Sequence, residues 1–87
     1  MKQIFKITFP NNKIYIGKDL SGTLTYFGGF DPLCVKADYV NIRMSHFTLK
    51  KEILWESETA TDAEVAVREA QYIRVFDSTN PLIGYNR

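Results

Sequence analysis

Two short apolar runs at the start of the chain, joined by a turn-forming tetrapeptide, restrict the fold more than any other feature. Over Lys2–Phe9, Ile4, Phe5, Ile7 and Phe9 are interleaved with Lys6 and Thr8, the pattern of a strand with a buried face. Pro10-Asn11-Asn12-Lys13 follows, in which Pro presets φ and the Asn pair tolerates left-handed backbone. Ile14-Tyr15-Ile16 returns as a second strand that Gly17 is expected to end, so residues 3–17 predict an antiparallel hairpin. Two registers are open. A two-residue Asn11-Asn12 loop pairs Phe9 with Ile14 and Ile7 with Ile16, which sets Phe5 and Tyr15 on opposite faces. A shift by one residue gathers Phe5, Ile7, Phe9 and Tyr15 on one face. The apolar pattern alone slightly favours the first.

The remaining chain alternates between breakers and periodic segments. Residues 18–30 are rich in Ser, Gly and Thr, end in Tyr26-Phe27-Gly28-Gly29, and read as an irregular loop. Asp31-Pro32 gives an N-cap followed by Pro at the first helical position, which predicts a helix over 32–43. Phe47 to Trp55 reads as the third strand and Ser57 to Ala60 as a loop. Thr61-Asp62-Ala63-Glu64 fits a capping box, opening a helix over 62–76 that Asp77-Ser78-Thr79-Asn80-Pro81 stops. A short tail, Leu82 to Arg87, ends the chain. The order ββαβα predicts a small α+β domain, 1–87, on an antiparallel three-stranded sheet flanked by helices.

Composition narrows the function classes. With 87 residues there is room for one core and no second domain. No apolar run approaches the ~20 residues of a spanning helix. Charge returns at once after Met1, so no signal-peptide core is expected and the chain reads as soluble and cytoplasmic, without a membrane partner. One cysteine, Cys34, and one histidine, His46, exclude an internal disulfide and a closed Cys/His zinc site. Cys34 lies in Pro32-Leu33-Cys34-Val35 and reads as a small buried apolar residue. The formal charge of +1 conceals an excess of cations over residues 1–55 and of carboxylates over 56–87. Such a field does not by itself hold a polyanion.

One carboxylate stands out. On a helical wheel at about 100° per residue with Val65 at zero, Tyr72, Phe76, Ile73, Ala66 and Ala70 form an apolar arc from about −20° to 140°. Glu69 falls at about 40°, inside that arc, while Glu64, Arg68, Gln71 and Arg74 take the far side. A carboxylate there has to be paired, metal-bound or open to a cleft, because burial alone is very costly. A salt bridge to Lys50, Lys51 or Arg43, or a stripe edge open to water, is the structural account. A metal site is the functional one.

Four fragments then line up in order: Ile4-Phe5-Lys6-Ile7-Thr8, Tyr15-Ile16-Gly17, Glu69-Ala70-Gln71-Tyr72-Ile73 and Gly84-Tyr85-Asn86. This series resembles the GIY-YIG nuclease superfamily over essentially the whole chain, and Tyr26-Phe27-Gly28-Gly29 is similar to a loop of one of its branches. The resemblance implies a metal-dependent endonuclease hydrolysing DNA phosphodiesters with a single Mg²⁺ or Mn²⁺. It implies that Glu69 is the metal ligand, Tyr15 the tyrosine of the second signature and Asn86 the C-terminal asparagine near the site. The chain departs from the family at Phe5, where the first signature has tyrosine. It departs again at Thr25, where many members carry an arginine. Arg43, with Lys36 behind it, is the substitute expected to hold nonbridging phosphate oxygens.

In this reading Glu69 binds the ion, which keeps most of its waters, and Tyr15 activates water with Lys18 or Lys13 lowering its pKa. Lys18, Tyr26 and Lys36 contact the substrate, and Asn86 positions Glu69 or a bound water. The alternative is a degenerate domain of the same type that binds nucleic acid or a protein without cutting. A third reading is an assembly subunit, with Tyr26 and Phe27 as an oligomer patch.

Overall fold

The computed structural model describes residues 1–22 and 49–86. The helix expected over 32–43, the 23–30 part of the loop, Cys34 and His46 lie outside them. Within the described residues the fold is α+β. Strands β1 (Lys2–Thr8), β2 (Ile14–Asp19) and β3 (Lys50–Ser57) form one antiparallel sheet in the order β2-β1-β3, and helix α1 (Asp62–Phe76) packs on it. No helix among these residues is long and apolar enough to cross a membrane.

The hairpin takes the second register: Ile7 faces Tyr15 and Phe5 faces Gly17. Its cause is the turn. The Phe9 N–H donates to the Lys13 carbonyl and the Asn12 N–H to the Phe9 carbonyl, each at 2.9 Å, enclosing Pro10, Asn11 and Asn12. Asn12 sits at φ 68°, the left-handed third position of a three-residue hairpin loop. The Asn11 Oδ1 also accepts from the Lys13 N–H at 3.0 Å, locking the loop. One extra loop residue moves every cross-strand pair by one.

Gly17 does not end the second strand, which continues to Asp19. Asp19 is buried and stops it instead, its Oδ1 accepting from the Ser21 N–H, the Ser21 hydroxyl and the Gly22 N–H. The third strand also extends past the expected Trp55 to Ser57. Between Ile4 and Phe5 its register slips by one, so Ile4 faces Trp55 while Phe5 faces Ile53. That bulge turns both Leu54 and Trp55 toward the helix side, where they pack with Ile4 and Val65.

Strand β1 is central, which accounts for apolar residues at both parities. Phe5, Ile7 and Phe9 form one core with Tyr85, Tyr15 and Leu49. Ile4 and Ile16 form the other with Ala60, Val65, Tyr72, Ile73 and Phe76 under α1. Fully burying each such side chain stabilises by about 1.5–3 kcal/mol.

The helix forms over 62–76, as the periodicity predicts. The Thr61 hydroxyl accepts from the Glu64 N–H at 3.2 Å, and the Glu64 side chain makes no return bond to the Thr61 N–H. Lys2 ties the helix start to the sheet, its ammonium 2.8 Å from both the Ala60 carbonyl and Asp62. That contact holds the Asp62 carboxyl below the ordinary carboxylate range. At the other end Asp77 adopts φ 54°, and the Asp77 and Ser78 N–H groups donate to the Arg74 and Ile73 carbonyls. This is a Schellman cap made without glycine.

Candidate functional site

Glu69 occupies the stripe of α1 that faces the sheet, between Val65 and the Tyr72–Ile73 pair, and is half-buried there. Burial raises its carboxyl above the usual glutamate range, and the positive field of Lys18 opposes that rise. Among the described residues no salt bridge or side-chain hydrogen bond reaches Glu69. The ion-pair account through Lys50 or Lys51 is excluded. Lys50 lies 3.7 Å from Glu52, and the Lys51 ammonium lies 4.7 Å over the Phe5 ring on the other sheet face. Among the described residues what remains is a partly desolvated carboxylate without a bonded partner, in the positive field of Lys18; Arg43 lies outside them.

The tyrosine stands elsewhere. Strand alternation sends Ile14, Ile16 and Lys18 to the helix side and Tyr15, Gly17 and Asp19 to the other. Tyr15 therefore packs with Phe5, Ile7 and Phe9, on the face opposite Glu69. The two residues stand on opposite faces because Glu69 follows the helix and Tyr15 follows the strand pleat. Nor does Lys18 share the Tyr15 face; its charge acts on Glu69. Lys13 reaches over the Tyr85 ring, 5.4 Å from its centroid. Tyr85 packs in the same core as Tyr15, so Lys13 reaches the Tyr15 face, as does Lys51, which sequence reasoning treats only as an ion-pair partner. Its pairing with Ile7 puts it there.

Gly17 keeps that face flat. A Cβ at this position would lie 2.6 Å from Phe5 Cζ and 2.9 Å from both Phe5 Cε2 and Tyr15 Cε2. Both rings lean across the bare backbone. Replacing Gly17 by alanine is expected to cost about 1–3 kcal/mol through forced ring displacement. Urea denaturation of the variant checks this, and an unchanged midpoint would show that the rings are free to move aside.

Asn86 is buried at the outer edge of β2. Its Oδ1 accepts from the Ile16 N–H and its Nδ2 donates to the Ile16 carbonyl, both at 2.8 Å. The side-chain amide thus acts as the next residue of a strand. Just before it, the Ile14 N–H donates to the Ile83 carbonyl at 3.0 Å and the Tyr85 N–H to the Ile14 carbonyl at 2.8 Å. Tyr85 is buried edge-on to Phe9, with ring centroids 4.8 Å apart, and its hydroxyl accepts from Asn11 Nδ2 at 3.0 Å. The terminal Gly-Tyr-Asn is therefore a clasp on the hairpin. Sequence reasoning gives Asn86 to a neighbouring carboxylate or water and leaves Tyr85 unassigned. An aromatic-amide pair directly after a glycine is the available signal.

Around β2 the expected residues take three stations: Glu69 and Lys18 over one face, Tyr15 on the other, and Asn86 along the edge. Arg43, Lys36 and Tyr26 fall outside the described residues. No group of three His, Cys, Asp or Glu side chains that could share a metal ion occurs among the described residues. A divalent ion here would rest on Glu69 alone and keep most of its waters, an arrangement magnesium accepts. No protein-family model, curated protein or solved structure matches this chain.

Proposed function

We propose that the chain is a cytoplasmic, divalent-metal-dependent endonuclease of the GIY-YIG type, acting on DNA. The observation that carries this reading is Glu69, a half-buried carboxylate in the core-facing stripe with no bonded partner among the described residues. A fold gains nothing from an unpaired carboxylate at such a position, so a ligand-binding role gives it a reason. A bound Mg²⁺ or Mn²⁺ would supply charge stabilisation for the departing oxygen. Glu69 is the residue to hold it. Lys18, whose positive field reaches Glu69, is suited to a nonbridging phosphate oxygen, with Arg43 and Lys36 as further candidates. Tyr15 stands on the face opposite Glu69, so a role in activating water at an ion on Glu69 is what the Tyr15→Phe variant tests; Asn86 keeps the β2 edge in place, and Tyr26 is the candidate for substrate contact.

A second reading has a specific observation in its favour. Tyr15 and Glu69 leave the sheet on opposite faces, and Phe5, at the first signature, is fully buried and lacks a hydroxyl. A degenerate domain that binds nucleic acid or a protein partner without cutting is consistent with that separation.

Nicking of supercoiled plasmid separates the two. Wild type with Mg²⁺ or Mn²⁺ is expected to nick, and Glu69→Ala to lose the activity. If Tyr15 is the base, Tyr15→Phe is expected to lower the rate by about 10²–10⁴-fold. Full activity in Tyr15→Phe removes Tyr15 from the mechanism. Metal-independent DNA binding with no nicking by wild type or Phe5→Tyr assigns the chain to the degenerate class.

A further inference from the structure

We infer that the outer face of α1 is a homodimer surface, on which two copies pack their helices antiparallel about a two-fold axis. The outer side of the helix carries a narrow stripe of small apolar side chains beside Glu64, Arg68 and Gln71. Val65, Tyr72, Ile73 and Phe76 face the sheet. Ala63, Val67, Ala70 and Arg74 lie within about 40° of the direction opposite Val65 on the wheel, Ala70 being the one at the margin of the core-facing arc. All four are exposed, Val67 at 59%. Their spacing of four, three and four residues is that of a coiled-coil seam. Alanine at two of the four positions lets two helix axes approach to about 8 Å.

The charge layout selects a second copy, inverted, as the occupant. Glu64 stands beside the seam near the helix start and Arg74 lies in it near the end. With the two-fold axis between residues 68 and 69, Val67 of one copy packs on Ala70 of the other. Ala63 then meets the aliphatic stem of Arg74, whose guanidinium reaches Glu64. The same pair recurs at the other end of the contact. A parallel arrangement would instead set Glu64 against Glu64 and Arg74 against Arg74. Ala63, Glu64, Val67, Arg68 and Gln71 line a hollow of about 470 Å³ on this side of the helix. This pairing is independent of the nuclease reading, since Glu69 and Tyr15 face away from it.

One helix per subunit is at the small end of specific interfaces, so a weak, reversible dimer with a dissociation constant of about 10–100 μM is expected. Sedimentation velocity of the full chain over roughly 5–500 μM tests it. The sedimentation coefficient should rise with concentration in wild type and stay monomeric in Val67→Glu. Glu64→Arg and Arg74→Glu should each weaken association about tenfold or more, and the double exchange should restore it. Circular dichroism of each variant verifies that these exposed substitutions leave the fold intact. A wild-type monomer at every concentration overturns the proposal. So does a dimer indifferent to Val67→Glu, or a double exchange that fails to recover association.

Discussion

Replacing Glu69 by leucine is expected to stabilise the fold by about 0.5–2 kcal/mol while abolishing metal-dependent nicking. Both effects have one cause. The side chain lies in the apolar stripe with Val65 and Ile73, where a leucine would add contacts and a carboxylate is desolvated without a bonded partner among the described residues. A residue that costs stability where it sits is what a functional carboxylate looks like in a small domain. Guanidinium denaturation followed by Trp55 fluorescence reads the first effect and plasmid nicking the second. A destabilised Glu69→Leu would mean that the carboxylate is held by a favourable contact, and the site assignment would fail with it.

The same carboxylate gives a pH dependence of defined sign. Burial raises its folded-state pKa above the ordinary glutamate value of 4.5, so over that window the folded state binds more protons than the unfolded state. Stability from this group is therefore greatest below pH 4.5 and falls as pH rises through the folded-state pKa. Glu69→Gln removes this contribution. The difference in stability between wild type and Glu69→Gln, measured from pH 4 to 7, should favour wild type more at the acidic end. A difference that does not change with pH would show that Glu69 titrates alike in both states.

Gly84→Ala is expected to destabilise the protein by about 2–5 kcal/mol, a large effect for one methyl group. A Cβ at Gly84 would lie 2.4 Å from the Ser78 carbonyl oxygen and 2.7 Å from both the Ile14 carbonyl oxygen and Ser78 Cα. All three are backbone atoms, so no rotamer change relieves the contact. The tail would have to leave the edge of β2, taking with it the Tyr85–Phe9 packing and both Asn86 bonds to Ile16. Hydrogen exchange gives a local readout, because the Ile14 and Ile16 amides donate only to this tail among the described residues. They should lose protection before the amides of β1. Retained protection with normal stability would show that the tail does not close the sheet.

Much of this fold is legible from residue order because its signals are local. The alternation of Ile4 to Phe9 predicts β1, the threonine cap and apolar arc predict α1 over 62–76, and the helical wheel alone sets Glu69 apart from its apolar neighbours. Such features depend on neighbours within one or two turns, where side-chain chemistry acts directly on the backbone. The hairpin register is different. It depends on whether Asn12 takes a left-handed conformation and adds a third loop residue, and the apolar pattern points to the other choice. Gly17 reads as a strand end, yet it serves as the space that two rings share, which is visible only when β1 and β2 are side by side. The tail's role likewise rests on partners about 70 residues away, with Ile16 meeting Asn86 and Asn11 meeting Tyr85. The face separation of Tyr15 and Glu69 has the same origin. Sequence alone determined which side chains are capable of chemistry, since that is a property of residue type. Only the tertiary structure decided which of them share a surface, because the sheet pleat and the packing of α1 are set by contacts between distant segments.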